Sequence, residues 1–221
     1  MIFLHGYLSD KRSFAYQYQF FSRYFTVYAF DFQGFGENKG MEYPYSLSDY
    51  VNKLKAFIEK HDLYKPHVIA HSFGGRVALK TAYESPDLLG KLVLTGSAGL
   101  KPKWNFIKAL KKTTFKILKP FLSEKGRLKF YSSDYLALDS VMRQSFIKIV
   151  NESLDYTLTS ITNQTFIIFG KNDKETPIYM AKRLEKGIKN SKIFIINGAG
   201  HFCFVDKPSI FNTEVREFLL S

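Results

Sequence analysis

The chain has a single cysteine, Cys203, among its 221 residues. That excludes an intramolecular disulfide framework and a cysteine-rich metal site. Long apolar runs are missing as well: none approaches the roughly 20 residues that a spanning helix needs. The opening "MIFLHGYLSD" has only three apolar residues after Met1 and no basic segment ahead of them, so it does not read as a signal peptide. Internal repeats and low-complexity linkers are absent too. The expectation is a soluble, cytoplasmic protein with no stable membrane insertion. No histidine and carboxylate cluster has metal-ligand spacing, so neither a metal nor another cofactor is expected.

Acidic residues are scarce, 20 against 32 lysines and arginines, for a formal charge of +12. The deficit is local. From Lys101 to Phe130 the only acid is Glu124. Within that stretch Trp104, Ile107, Leu110, Ile117 and Phe121 approximate helical spacing, with lysines on the other faces. Charge confined to one segment argues against nucleic acid as a partner. It suits a surface helix with solvated lysines or, as the alternative, a peripheral contact with membranes or anionic substrates.

What the chain does have is a rhythm. Short β-rich runs occur at "MIFL", "FTVYAF" (25–30), "HVIA" (67–70), "KLVLTG" (91–96), "TFIIFG" (165–170) and "KIFIING" (192–198). Helical patterns lie between them at about 11–23, 47–61, 74–84, 178–189 and 208–219. Alternating β and α with nearly continuous apolar strands predicts an α/β fold with a mostly parallel, doubly wound sheet of about six strands. The rhythm breaks only over 97–160, where helical stretches occur without strands. The expected organisation is therefore a core of 1–96 and 161–221 with a helical cap insertion at 97–160.

In an open parallel sheet, functional groups collect at the carboxyl ends of the strands. His5 and Gly6 follow the first run, Ser72 the third, Asp173 the fifth and His201 the sixth. A serine hydroxyl is a weak nucleophile unless an imidazole takes its proton, and that imidazole needs a carboxylate to fix its tautomer. Ser72, His201 and Asp173 supply these types at one sheet edge, although Asp155 and Glu175 are other carboxylates nearby in sequence. "AHSFGG", with small residues at Ala70 and Gly74, permits a tight strand-to-helix turn that lifts Ser72 out of the core. The Phe73 amide would then sit at a helix start, facing a developing oxyanion, and Tyr7 in "HGY" is the candidate for a second amide. Ser72 as a plain helix N-cap is the duller alternative. His5, Gly6 and His71 are candidates to shape the pocket, with local hydrogen bonding as the alternative for the two histidines, and Trp104 and Ile107 from the basic stretch are pocket candidates too. Arg76 reads as a packing or salt-bridge residue and Cys203 as a buried small residue.

These motifs together resemble the α/β-hydrolase-fold family, which includes esterases, haloperoxidase-like enzymes and carbon–carbon bond hydrolases. The resemblance rests on "HG", the D-x-x-G-x-G loop at Asp31, Gly34 and Gly36, "AHSFGG", "FGKNDKETP" and "GAGHF", all in the family's order. It implies Ser72, Asp173 and His201 as nucleophile, acid and base, and residues 97–160 as the helical cap. The chain departs from the pattern at Glu37, where a serine is frequent. It also begins two strands later than most members, which implies a shortened sheet or a missing upstream segment. The expected activity is hydrolysis of a small to medium, mainly apolar ester, because 17% aromatic residues and an apolar cap suggest a greasy pocket. "SFGGR" is similar to menaquinone-pathway lyases that eliminate pyruvate and use the arginine on a carboxylated substrate. That lyase, a carbon–carbon bond hydrolase and a non-turnover ligand receptor are the alternatives.

Overall fold

A computed structural model of the chain describes residues 1–103, 133–136 and 138–221. Trp104, Ile107 and most of the lysine-rich stretch lie outside the described residues. Six strands form one sheet: β1 (Ile2–Leu4), β2 (Tyr28–Ala29), β3 (Val68–His71), β4 (Leu92–Thr95), β5 (Thr165–Gly170) and β6 (Ser191–Ile196). Their order is β2-β1-β3-β4-β5-β6, and every pairing is parallel.

Side chains alternate across the sheet with a period of two, and here both faces are buried. Ile2, Leu4, Val68, Ala70, Leu92, Leu94, Ile167 and Phe169 belong to one core cluster. The intervening Phe3, Ile69, Val93, Phe166 and Ile168 belong to the other. A 3₁₀ turn at Lys11–Phe14 leads into α1 (Ala15–Phe21), and α2 (Leu47–Lys60) and α3 (Phe73–Glu84) follow. Then come α4 (Ser133–Leu136), α5 (Ser140–Asn151), α6 (Ile178–Gly187), α7 (Cys203–Asp206) and α8 (Pro208–Leu220). The buried stripes of α2, α3 and α6 pack on the first cluster, and α1 and α8 cover the second. The sheet is thus doubly wound, and α2 and α5 start at residues whose side chains cap them. Ser46 and Asp49 form a reciprocal capping box on α2, and Pro208 opens α8.

The second run is much shorter than its apolar content predicts. Only Tyr28 and Ala29 pair, with Ile2 and Phe3 of β1. The amides of Tyr24 and Phe25 are instead spent on Phe21 O, closing the turn out of α1, and an edge strand has only the three residues of β1 to pair with. Between 97 and 160 the described residues form helices and no strand. α5 is tied to the core from several sides: Ser145 Oγ accepts the Tyr45 amide at 2.7 Å, and Lys148 Nζ donates to Pro44 O at 2.7 Å.

The strand order reverses direction between β1 and β3, so the loops leaving these two neighbours diverge and open a crevice. α3 begins directly at that crevice and crosses β1 closely. A Cβ on Gly74 would lie 2.3 Å from Leu4 O, a backbone atom that cannot swing aside. Gly74→Ala is therefore expected to cost about 1–3 kcal/mol in urea unfolding. Ser46→Ala, which removes only a cap far from the crevice, is expected to cost about 1 kcal/mol.

Candidate active site

β3 ends at His71, and the next residue, Ser72, has φ 50° and ψ −107° before α3 starts. A non-glycine residue there is strained by roughly 1–3 kcal/mol, and the surroundings must hold it. They do so through the backbone. The Ser72 amide donates to Thr95 O at 3.1 Å, Gly74 N to His5 O at 3.1 Å, and Ala98 N to Ser72 O at 3.1 Å. The Ser72 side chain makes no capping hydrogen bond to α3, so the plain N-cap role does not apply.

His201 follows β6, and its Nδ1 lies 2.9 Å from Asp173 Oδ2. The Asp173 side chain is fully buried, while that of His201 is 14% exposed, so the imidazole remains reachable from the crevice. Four donors saturate the carboxylate. Oδ1 accepts the amides of Glu175 and Thr176, each at 2.9 Å, and Oδ2 accepts from His201 and from Thr176 Oγ1 at 2.8 Å. Burial pushes the Asp173 carboxyl up, but the hydrogen bonds from His201 and Thr176 outweigh it and hold the acid below its ordinary value. Neither rival carboxylate bonds His201: Asp155 is bound by Arg183, Ser153 and the Lys101 amide, and Glu175 is exposed.

The Tyr7 and Phe73 amides make no hydrogen bond among the described residues. Tyr7 sits in the turn after β1, closed by Ser9 N donating to Gly6 O at 3.3 Å, and its phenol donates to Met142 O of α5 at 3.3 Å. Its ring meets Phe35, Phe73 and Phe146 at centroid distances of 4.8, 5.6 and 5.2 Å. The loop that would hold the oxyanion is thereby joined to the helix above it by an apolar aromatic cluster.

Both strand-end histidines are held by hydrogen bonds to backbone atoms. His5 is buried: its Nδ1 donates to Gly6 O at 2.8 Å, and its Nε2 accepts the Phe32 amide at 3.0 Å. Both nitrogens are spent on tying the first two post-strand loops together, and burial lowers its pKa, keeping it neutral. His71 is equally buried, and its Nε2 donates to His201 O at 3.2 Å, which links the residue before Ser72 to the base loop. Desolvation brings its pKa down to about 3. Gly6 packs against this ring, since a Cβ there would lie 2.9 Å from His71 Nδ1. Cys203 is buried against Thr95 Oγ1 at 3.2 Å, and burial pushes its thiol up to about 11.

Arg76 is a structural clamp. Its Nη1 donates to Ile149 O at 2.9 Å and Glu152 O at 2.8 Å, the carbonyls at the end of α5, and Lys80 pairs with Glu152 at 2.5 Å. Burial lowers the guanidinium pKa to about 10, so it stays charged at neutral pH and suits a helix C-terminus. Thr176, Met142 and Phe146 were not singled out from sequence. For Thr176 a signal existed: an aspartate two to four residues before a proline favours an Asx turn whose amides grip the carboxylate. Among the described residues no three metal-binding side chains converge, and no helix is long and apolar enough to cross a membrane.

The lowered Asp173 pKa has a measurable consequence. Its ionised form contributes stability that is complete above about pH 4 and is lost as pH falls through the lowered folded value. In urea unfolding from neutral to acidic pH, the wild type should lose stability more steeply than Asp173→Asn. Parallel curves for wild type and Asp173→Asn would contradict this assignment.

Comparison with known proteins bears on the family and the fold. A profile described as the alpha/beta hydrolase family matches residues 1–214. The chain is 28% identical over 224 residues to a 2-hydroxy-6-oxononadienedioate/2-hydroxy-6-oxononatrienedioate hydrolase of Pseudomonas putida, covering 88% of this chain and 77% of that protein. A meta-cleavage product hydrolase from Pseudomonas fluorescens IP01 superimposes with a TM-score of 0.76 at 22% identity, over 99% of this chain and 89% of that one. A bacterial membrane phospholipase A does so with a TM-score of 0.80 at 20% identity, over 99% and 77%. At those identities the two structures speak to the fold alone, but the profile runs over nearly the whole sequence, and the chain belongs to the alpha/beta hydrolase family.

Proposed function

We propose that the protein is a serine hydrolase that cleaves a small to medium, mainly apolar ester through an acyl-enzyme. The observation that carries the reading is the buried Asp173–His201 pair, with 2.9 Å between Oδ2 and Nδ1, at the same sheet edge as the strained Ser72. Asp173 accepts from Nδ1, which leaves Nε2 as the basic nitrogen. Ser72 Oγ attacks the ester carbonyl as Nε2 takes its proton. The oxygen that gains charge is held by the Tyr7 and Phe73 amides, the latter at the positive end of α3. Collapse expels the alcohol, protonated by His201. Water, activated by the same imidazole, then releases the acid and restores Ser72. Residues 97–160 are read as a cap, of which α5 places Met142 and Phe146 over Tyr7.

The apolar acyl group is favoured by the rings of Tyr7, Phe35, Phe73 and Phe146 around the oxyanion loop. A carbon–carbon bond hydrolase is the second reading. It is favoured by the similarity to the Pseudomonas putida enzyme, whose name denotes a dienedioate substrate. The lyase reading loses its motivating residue, because the Arg76 guanidinium is engaged by the carbonyls at the end of α5.

A panel of p-nitrophenyl esters from two to twelve or so carbons, run beside a 2-hydroxy-6-oxo-dienoate, separates these readings. Burst release and turnover of short to medium esters are expected, with Ser72→Ala lowering turnover by roughly three orders of magnitude or more and Asp173→Asn by about 10³–10⁴. Asp155→Asn should stay near wild type. Cleavage of the dienoate with inert esters would move the assignment to carbon–carbon hydrolysis. Binding without turnover of either would indicate a receptor.

A further inference from the structure

Thr176 occupies a position that the serine-hydrolase scheme does not use. It is 5% exposed, and its hydroxyl oxygen lies 2.8 Å from Asp173 Oδ2, 3.0 Å from Gly96 O and 3.3 Å from His201 Nδ1. It therefore sits where the loops after β4, β5 and β6 meet. Its amide also donates to Asp173 Oδ1, so one residue supplies two of the carboxylate's four donors.

A threonine hydroxyl has one proton. Three neighbours compete for it or for the oxygen's lone pairs. The shortest separation is to the carboxylate, and a hydrogen bond to an ionised acceptor is stronger than one to a neutral carbonyl. The proton therefore goes to Asp173 Oδ2, and the His201 Nδ1–H shares that same oxygen. Two effects follow. The hydroxyl fixes the rotation of the carboxylate, so Oδ2 stays aimed at His201. It also drains negative charge from Oδ2, so the carboxylate stabilises an imidazolium less than an unshared one would.

We propose that Thr176 is a positioning residue that, through its hydroxyl, holds Asp173 in register with His201 and restrains the basicity of that imidazole. The proposal rests on the serine-hydrolase reading for its effect on turnover, but not for its effect on His201 itself. The other groups facing His201 do not blur the signal. His71, with its ring centroid 4.6 Å away, stays neutral down to a pKa of about 3, and the Cys203 thiol beneath the same loop stays protonated up to about 11.

The test follows the His201 Cε1 proton by NMR against pH in wild type, Thr176→Val, Thr176→Ala and Thr176→Ser, and measures the pH profile of ester hydrolysis on the same proteins. With the hydroxyl removed, His201 should titrate about 0.5–1 unit higher, and the acid limb of kcat/KM should move with it. kcat should fall about tenfold with KM changed less than about twofold, since the ground-state pocket is untouched. Thr176→Ser should restore both. Thr176→Ala is included so that a folding failure of the valine variant leaves the question answerable. An unchanged His201 titration in a folded variant lacking the hydroxyl would overturn the proposal. So would a serine variant as impaired as the valine one, because then the methyl group and not the hydroxyl matters. If Ser72→Ala hydrolysed esters normally, the hydrolase reading would fail, while the NMR titration would still decide the role of Thr176.

Discussion

The backbone of Ser72 is the constraint on which the rest of the structure hangs. At φ 50° it carries conformational strain that a serine does not relieve by itself, so every neighbour has to enforce it. β1 and β3 lie side by side, Gly74 passes Leu4 O where no larger residue fits, and hydrogen bonds to Thr95, His5 and Ala98 close the turn from three sides. Once that turn is held, the first amide of α3 is free of intrahelical duty, and the turn after β1 is drawn in beside it. The crevice at the reversal of strand order is thereby furnished with a serine and two amides before any loop from the far half of the chain arrives.

The far half brings the acid and the imidazole, and its attachment is as specific as the turn itself. His71 reaches across to His201 O, Thr176 reaches to Gly96 O and Asp173, and Arg76 and Lys80 fasten the end of α5 to the helix that begins after Ser72. α3 is therefore the common support for Ser72, for the Phe73 amide and for the end of α5. The Arg76 engagement also bears on chemistry. A guanidinium already capping carbonyls is a poor partner for a substrate carboxylate, which weakens the link between "SFGGR" and a carboxylated ligand.

Much of this was legible in the sequence, for a physical reason. Strands buried on both faces read as continuous apolar runs, and the residues that follow them are the ones a parallel sheet gathers at one edge. β5 begins and ends at Thr165 and Gly170 as the sequence pattern suggests, and Ser72, Asp173 and His201 fall where the post-strand rule puts them. β2 was over-read because apolar content does not reveal whether a partner strand is long enough to pair. A histidine at a strand end is visible in sequence, but the backbone atoms that engage it are not: Nε2 of both His5 and His71 bonds to backbone brought in from elsewhere in the fold. The fate of Arg76 depends on carbonyls 73 and 76 residues away, a distance over which no local pattern carries.

The central claim is that Ser72 is the nucleophile and that His201 activates it. The most direct measurement is covalent capture with a fluorophosphonate, followed by peptide mass spectrometry. A single adduct on Ser72, formed in the wild type and at least about a hundredfold more slowly in His201→Ala, is the result the account predicts. Labelling at another residue, or labelling of Ser72 at equal rates in both proteins, would contradict it.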